Sequence, residues 1–221
     1  VEKVKQALPG IRLTLIQPSP FDDVTRDPNF EGGYNAVLVR YGQFVKDLAA
    51  QQGATVADLN SPVVAALEKA KTLDATTARK IVPDRVHPGP AGHLVMAEAL
   101  LKSWNAPPVV SAVAIDAAHA SATRQDNTHV TDLQASSSLS WTQKDEALPL
   151  PLNPDDPVLK LVLSASDVTE ALDQETLQVT GLTAPHYTLK IDGQEAGSFS
   201  ADELASGVNL ALLPTPMLKQ A

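Results

Sequence analysis

The sequence predicts an α/β domain with parallel strands followed by a mostly β accessory region, and three observations carry that prediction. Strand and helix signals alternate from Val1 to Ala106, the pair Pro107-Pro108 ends the pattern, and short strand signals with an Asp-Gly turn dominate beyond it. The two regions are assigned to residues 1–106 and 107–221.

Val1, Val4 and Leu8 lie at helical spacing up to Pro9-Gly10, so the chain is read as starting inside a helix, with residues expected before Val1. Ile11 to Ile16 is a short β-rich run ending at Gln17-Pro18, the signature of a buried strand. Val37, Leu38, Tyr41, Phe44, Val45 and Leu48 then recur at intervals of three and four, which predicts an amphipathic helix with Gly53 at its C-terminal end. Thr55 to Leu59 reads as a second strand. Ser61-Pro62 offers an N-cap followed by proline for a helix from Val63 to Lys71. After a proline-rich loop, Leu94, Val95, Ala97, Leu100, Leu101 and Trp104 form the expected apolar face of a last helix. Two parallel strands cannot cover their own edges and faces, so residues 1–106 read as the C-terminal part of a larger sheet domain.

The second region is read more coarsely. Val109 to Ile115 has strand character, Ala117 to Ser140 is polar and weakly patterned, and Ala147 to Pro157 is rich in proline. Tyr187 to Ile191 and Glu195 to Phe199 flank Asp192-Gly193-Gln194, a hairpin signal. Ser200-Ala201-Asp202-Glu203 matches a capping box.

An apolar fraction of 43% is that of an ordinary globular protein, and no run of about 18 apolar residues marks a membrane span. The absence of cysteine excludes disulfides, thiol nucleophiles and thiolate metal sites. Charge is uneven: 12 Lys and Arg face 11 Asp and Glu up to Ala106, but 5 face 15 beyond it. An acidic second region argues against nucleic acid or an anionic membrane as partner.

The chemistry concentrates in Asp84-Arg85-Val86-His87-Pro88, followed by Gly92-His93 at the head of the last helix. A carboxylate on one ring nitrogen of a histidine fixes its tautomer and steadies the imidazolium, so the other nitrogen can take a proton from a hydroxyl. Pro83 and Pro88 restrict the backbone on either side. Ordinary turn chemistry, with the aspartate bonded to nearby amides, is the competing account of the same residues.

This block resembles the last conserved block of the SGNH (GDSL-type) esterase and lipase family, and the Ile16 to Asp23 segment is more loosely similar to bacterial members. The resemblance implies a three-layer α/β/α, flavodoxin-like sandwich with parallel strands, and acyl transfer to water through a serine ester with no cofactor. It implies Asp84 as the orienting acid and His87 as the general base. Neither Gly-x-Ser-x-Gly nor Gly-Asp-Ser occurs in the chain. The nucleophile and the oxyanion-binding residues are therefore expected upstream of Val1. The substrate is expected to be a small-molecule or carbohydrate ester, and family habit leans toward secretion.

Other candidates are weaker. Ser19, between Pro18 and Pro20 after the first strand, is the best stand-in nucleophile, but two prolines favour a plain extended loop. His93 is expected to pack or hydrogen-bond at a helix start, and no third ligand with matching spacing makes it half of a metal pair. His119, His129 and His186 are scattered among polar residues. Asp22-Asp23 and Asp155-Asp156 lack the spacing of a calcium loop and read as turn residues, the former bordering the cleft. The rival functional class is a non-catalytic binding protein whose β region recognises carbohydrate or a partner. Trp141 and Tyr187 are the only Trp or Tyr after Trp104, which is a thin basis for a sugar platform.

Overall fold

The computed structural model describes residues 1–221. The chain divides into two compact units, Val1–Ala106 with Pro154–Val168, and Pro107–Asn153 with Thr169–Ala221. The first division falls at the proline pair. The return of Pro154–Val168 to the first unit is not foreseen by an assignment of all of 107–221 to one module.

The first unit contains α1 (Glu2–Ala7), β1 (Thr14–Ile16), α2 (Asn35–Gln52), β2 (Thr55–Ala57), α3 (Ser61–Leu73), α4 (Ala75–Ala78), α5 (Pro90–Ser103) and α6 (Pro157–Ala165). β1 and β2 pair in parallel, Thr14 opposite Thr55 and Ile16 opposite Ala57, with α2 as the crossover between them. Gly53 ends α2 in the left-handed region at φ 58°, where glycine avoids the steric cost other residues meet. At the start of α3 the expected cap is displaced. Ser61 lies in the first turn, and the Asp58 carboxylate accepts the N–H groups of Asn60 and Ser61 at 2.8 and 3.0 Å.

The core of this unit is a helix layer: Val63, Leu67 and Ala70 of α3, Ala91 and Val95 of α5, and Leu161, Val162 and Ala165 of α6, with Ile81 and Val82 from the turn after α4. α6 explains the return of the chain, because its apolar residues recur at helical spacing and need a second helical surface to cover them. Lys102 of α5 fastens the same region, donating to Glu98 at 2.6 Å and to Asp167 at 2.7 Å. Asp156 caps α6 by accepting the N–H groups of Val158 and Leu159 at 2.8 and 3.1 Å. Asp156→Ala is expected to cost about 1 kcal/mol of stability, measured by urea denaturation.

Two expected apolar faces are only partly buried. Tyr41 and Phe44 of α2 are 63% and 61% exposed, because two strands offer too little surface to cover an 18-residue helix. On α5, Val95 and Ala99 are buried while Ala97 and Trp104 face outward, the helix having turned toward α3 and α6. The Trp104 indole N–H donates to the Thr14 hydroxyl at 2.7 Å.

The second unit holds β3 (Val109–Asp116), β4 (Ser121–Asp126), β5 (Thr128–Ala135), β6 (Leu139–Asp145), most of α7 (Val168–Leu172), β7 (Gln174–Thr180), β8 (His186–Ile191), β9 (Gln194–Ser200), α8 (Ala201–Ser206), β10 (Val208–Asn209) and α9 (Pro216–Gln220). Its main sheet runs β10-β7-β3-β4, with β3 and β7 parallel and the outer pairs antiparallel. β5-β6 and β8-β9 are hairpins. The Asp192-Gly193 turn takes positive φ at both positions, 51° and 78°, as the hairpin reading requires. The capping box at Ser200 and Glu203 is present at the head of α8. Val113 and Ile115 of β3, Leu177 and Val179 of β7 and Leu204 of α8 form the second core. The whole is a mixed α/β fold with parallel and antiparallel sheets, and no helix is long and apolar enough to cross a membrane.

Candidate active site

The Asp84–His87 turn is built outward from buried anchors. Ile81 and Val82 are sunk in the first core, the Arg85 N–H bonds the Val82 carbonyl at 3.1 Å, and the Gly89 N–H returns to the Ile81 carbonyl at 2.9 Å. Between these closures the Asp84 carboxylate accepts the N–H groups of Val86 and His87 through one oxygen, at 2.9 and 2.7 Å. Its other oxygen lies 2.7 Å from His87 Nδ1. The His87 N–H, then the imidazole, then the Val86 N–H hold the Asp84 carboxyl far below the usual carboxylate range. These bonds favour its ionised form.

The side chains of His87 and Asp84 are 82% and 56% exposed, so Nδ1 is engaged and Nε2 is open to a reactant. That is the division of labour a general base needs: one nitrogen fixed by an acid, the other free to accept a proton. Arg85, between them, sits at φ 72°, a conformation a non-glycine residue keeps only when its surroundings hold it. Its guanidinium donates to the Asp27 carbonyl at 2.8 Å, lies 3.7 Å from the Asp23 carboxylate, and stands 5.7 Å over the Phe21 ring.

The remaining candidates do not converge on this pair. Ser19 is half-buried in the loop after β1 and shares no hydrogen bond with His87. His93 is exposed on α5 rather than packed or bonded through its ring, and its backbone N–H makes the first helical bond, to the Gly89 carbonyl at 3.0 Å. His129 lies 3.6 Å from Glu146. No group of three or more His, Asp or Glu is arranged to hold a metal ion. Asp22 and Asp23 lie against the turn, the Asp22 N–H donating to the Arg85 carbonyl at 2.9 Å and the Asp23 carboxylate lying 3.7 Å from the Arg85 guanidinium. Arg26 is a further residue of these surroundings, 2.7 Å from the Asp22 carboxylate, and its place four residues after Asp22 is the sequence sign of that ion pair.

The second unit contains a near copy of the same turn. His119 Nδ1 lies 2.7 Å from the Asp116 carboxylate, which also accepts the Ala118 and His119 N–H groups at 3.0 and 3.3 Å. This turn joins β3 to β4.

No family model matches the chain, and no curated protein matches it. A solved structure does: that of BT4096, described as a gut microbial diltiazem-metabolizing enzyme, at TM-score 0.83 and 29% identity, over 99% of this chain and 52% of that one. The chain spans about half the length of the solved structure it matches. Its α/β fold is thus similar to that of part of this enzyme.

Proposed function

We propose that this chain is the proton-handling part of a serine ester hydrolase of the SGNH type, in which His87 is the general base and Asp84 orients it. The observation that carries the reading is the 2.7 Å contact between Asp84 and His87 Nδ1 with the ring otherwise open. The likeness to a small-molecule-metabolizing enzyme over 99% of the chain supports it.

In the proposed reaction, Nε2 of His87 takes the proton as a serine oxygen bonds to the ester carbonyl carbon. The tetrahedral intermediate collapses by breaking the carbon–oxygen bond to the alcohol, which leaves with that proton. Water, deprotonated by His87, then cleaves the acyl-serine ester, and the serine recovers its proton. Asp84 stays ionised and steadies the imidazolium at each transfer. The serine and the oxyanion donors belong to a further part of a longer protein, whose substrate is a small-molecule or carbohydrate ester.

The test is an assay of p-nitrophenyl acetate. The 221-residue chain should not turn it over, for want of nucleophile and oxyanion donors, whereas the complete protein should. Turnover by this chain alone would overturn the division of roles.

A second reading, a non-catalytic binding protein, draws on the Asp116–His119 turn, which shows that the pair's local geometry forms without a nucleophile. A carbohydrate platform finds little support. Trp141 and Tyr187 are half-buried, packed against the second core.

A further inference from the structure

Side-chain packing cannot hold the Asp84–His87 dyad in place, because both side chains and Val86 between them face solvent. What fixes its backbone comes from the loop after β1. The Arg26 guanidinium donates to three carbonyl oxygens that lead into the dyad: Arg79 at 3.0 Å, Val82 at 3.1 Å and Pro83 at 2.8 Å. Arg26 is itself held by the Asp22 carboxylate at 2.7 Å. Asp22 is fully buried and also accepts the Thr25 hydroxyl and the N–H groups of Thr25 and Val24 at 2.8 and 3.1 Å. Beyond Asp84, the Asp22 N–H donates to the Arg85 carbonyl at 2.9 Å. One buried residue therefore grips the turn on both sides of Asp84, directly at Arg85 and through Arg26 at Val82 and Pro83.

We propose that the Asp22–Arg26 ion pair is the positioning device of the proposed base, acting through the backbone of residues 79–85 to keep Asp84 on Nδ1 of His87. The inference rests on the reading of His87 as base, and it adds two residues that do not touch the reacting atoms. Only a planar fork of several N–H donors can serve three carbonyls and a carboxylate at once; a lysine ammonium is a point charge with three donors. Loss of the clamp frees Arg85 to leave its left-handed conformation, and the turn that aims both amides at Asp84 loosens with it.

The twin turn supplies an internal reference. Asp116 and His119 make the same contacts between β3 and β4, where strand pairing and the Thr180 hydroxyl, donating to the Ile115 carbonyl at 3.4 Å, support them rather than an arginine clamp. In the 221-residue chain, the ring-nitrogen 15N shifts of neutral histidine report which nitrogen carries the proton. His87 and His119 should both hold it on Nδ1 in the parent chain. Arg26→Lys and Asp22→Asn should each move His87 toward the Nε2–H form while His119 stays as it was. In the complete protein the same variants should lower kcat for p-nitrophenyl acetate roughly ten- to a hundredfold with KM little changed.

If folded Arg26→Lys and Asp22→Asn keep the parent His87 tautomer and kcat, the positioning role is wrong. Should His119 shift together with His87, the pair is a global stabiliser and the proposal falls. Asp22→Asn keeps the size of the buried side chain, so it serves if Arg26→Lys does not fold. Hydrolysis that survives His87→Ala would remove the esterase reading, and the His87 tautomer would still decide the clamp.

Discussion

Replacing His87 by alanine is expected to lower kcat/KM for p-nitrophenyl acetate in the complete protein by about four powers of ten or more. The size of the effect follows from the geometry. No other imidazole shares the Asp84 carboxylate, so no neighbouring group is placed to take over the proton. Asp84→Asn should cost a comparable factor while preserving shape. Its amide oxygen can still accept the Val86 and His87 N–H groups, but its NH2 would face Nδ1 and turn the ring to the unproductive tautomer. Steady-state rates on folded variants check both. A His87→Ala rate within twofold of the parent would sink the assignment.

The second large effect lies in the other unit and concerns stability. Glu175 of β7 is 1% exposed, neither of its carboxylate oxygens has a hydrogen-bond partner, and Asp173 beside it is also buried with one oxygen unpartnered. Burial, then the nearby charges of Asp145 and Asp173, push the Glu175 carboxyl from its ordinary 4.5 up to about 7. Between those values the unfolded chain has released this proton and the folded chain keeps it, so stability falls as pH rises. The contribution is whole below pH 4.5 and lost by about pH 7, a difference of about 3 kcal/mol. Burial raises Asp173 in the same direction. Glu175→Gln should therefore leave stability at pH 4.5 nearly unchanged and raise it by about 3 kcal/mol at pH 8. Urea denaturation at the two pH values measures this, and parallel pH curves for parent and variant would refute it.

The contrast between these two sites shows what a sequence displays and what it hides. The Asp84–His87 contact was legible because an aspartate three residues before a histidine closes a local turn, with every hydrogen bond inside a few residues. The crossover of β1, α2 and β2, the Asp192-Gly193 hairpin and the Ser200 capping box were legible for the same reason. Arg26 was not, since its carbonyl partners lie more than fifty positions along the chain and only folding brings them together. Glu175 was hidden differently. In β7 it alternates with Leu177 and Val179 on the buried face, where a strand pattern would ordinarily place an apolar residue. α6 is masked in the sequence by a run of prolines, although Asp156-Pro157 is a helix start by the same logic as Ser61-Pro62. The SGNH likeness rests on the short block at Asp84; the matched solved structure supports a likeness to an enzyme fold more broadly.

The paired turns at Asp84 and Asp116 bear on how sites of the proposed kind can be searched for and how they can arise. A geometric template of one carboxylate oxygen on a histidine Nδ1 and the other on the chain amides would retrieve both turns from this molecule. Such a template has little discriminating power, because a chain can write an Asp-x-x-His turn wherever a loop begins with aspartate. The scarce ingredient is the support that keeps an exposed pair from wandering. A new base of this kind could therefore emerge by adding a buried anchor beneath a turn that already exists, with the histidine coming first and its discipline later.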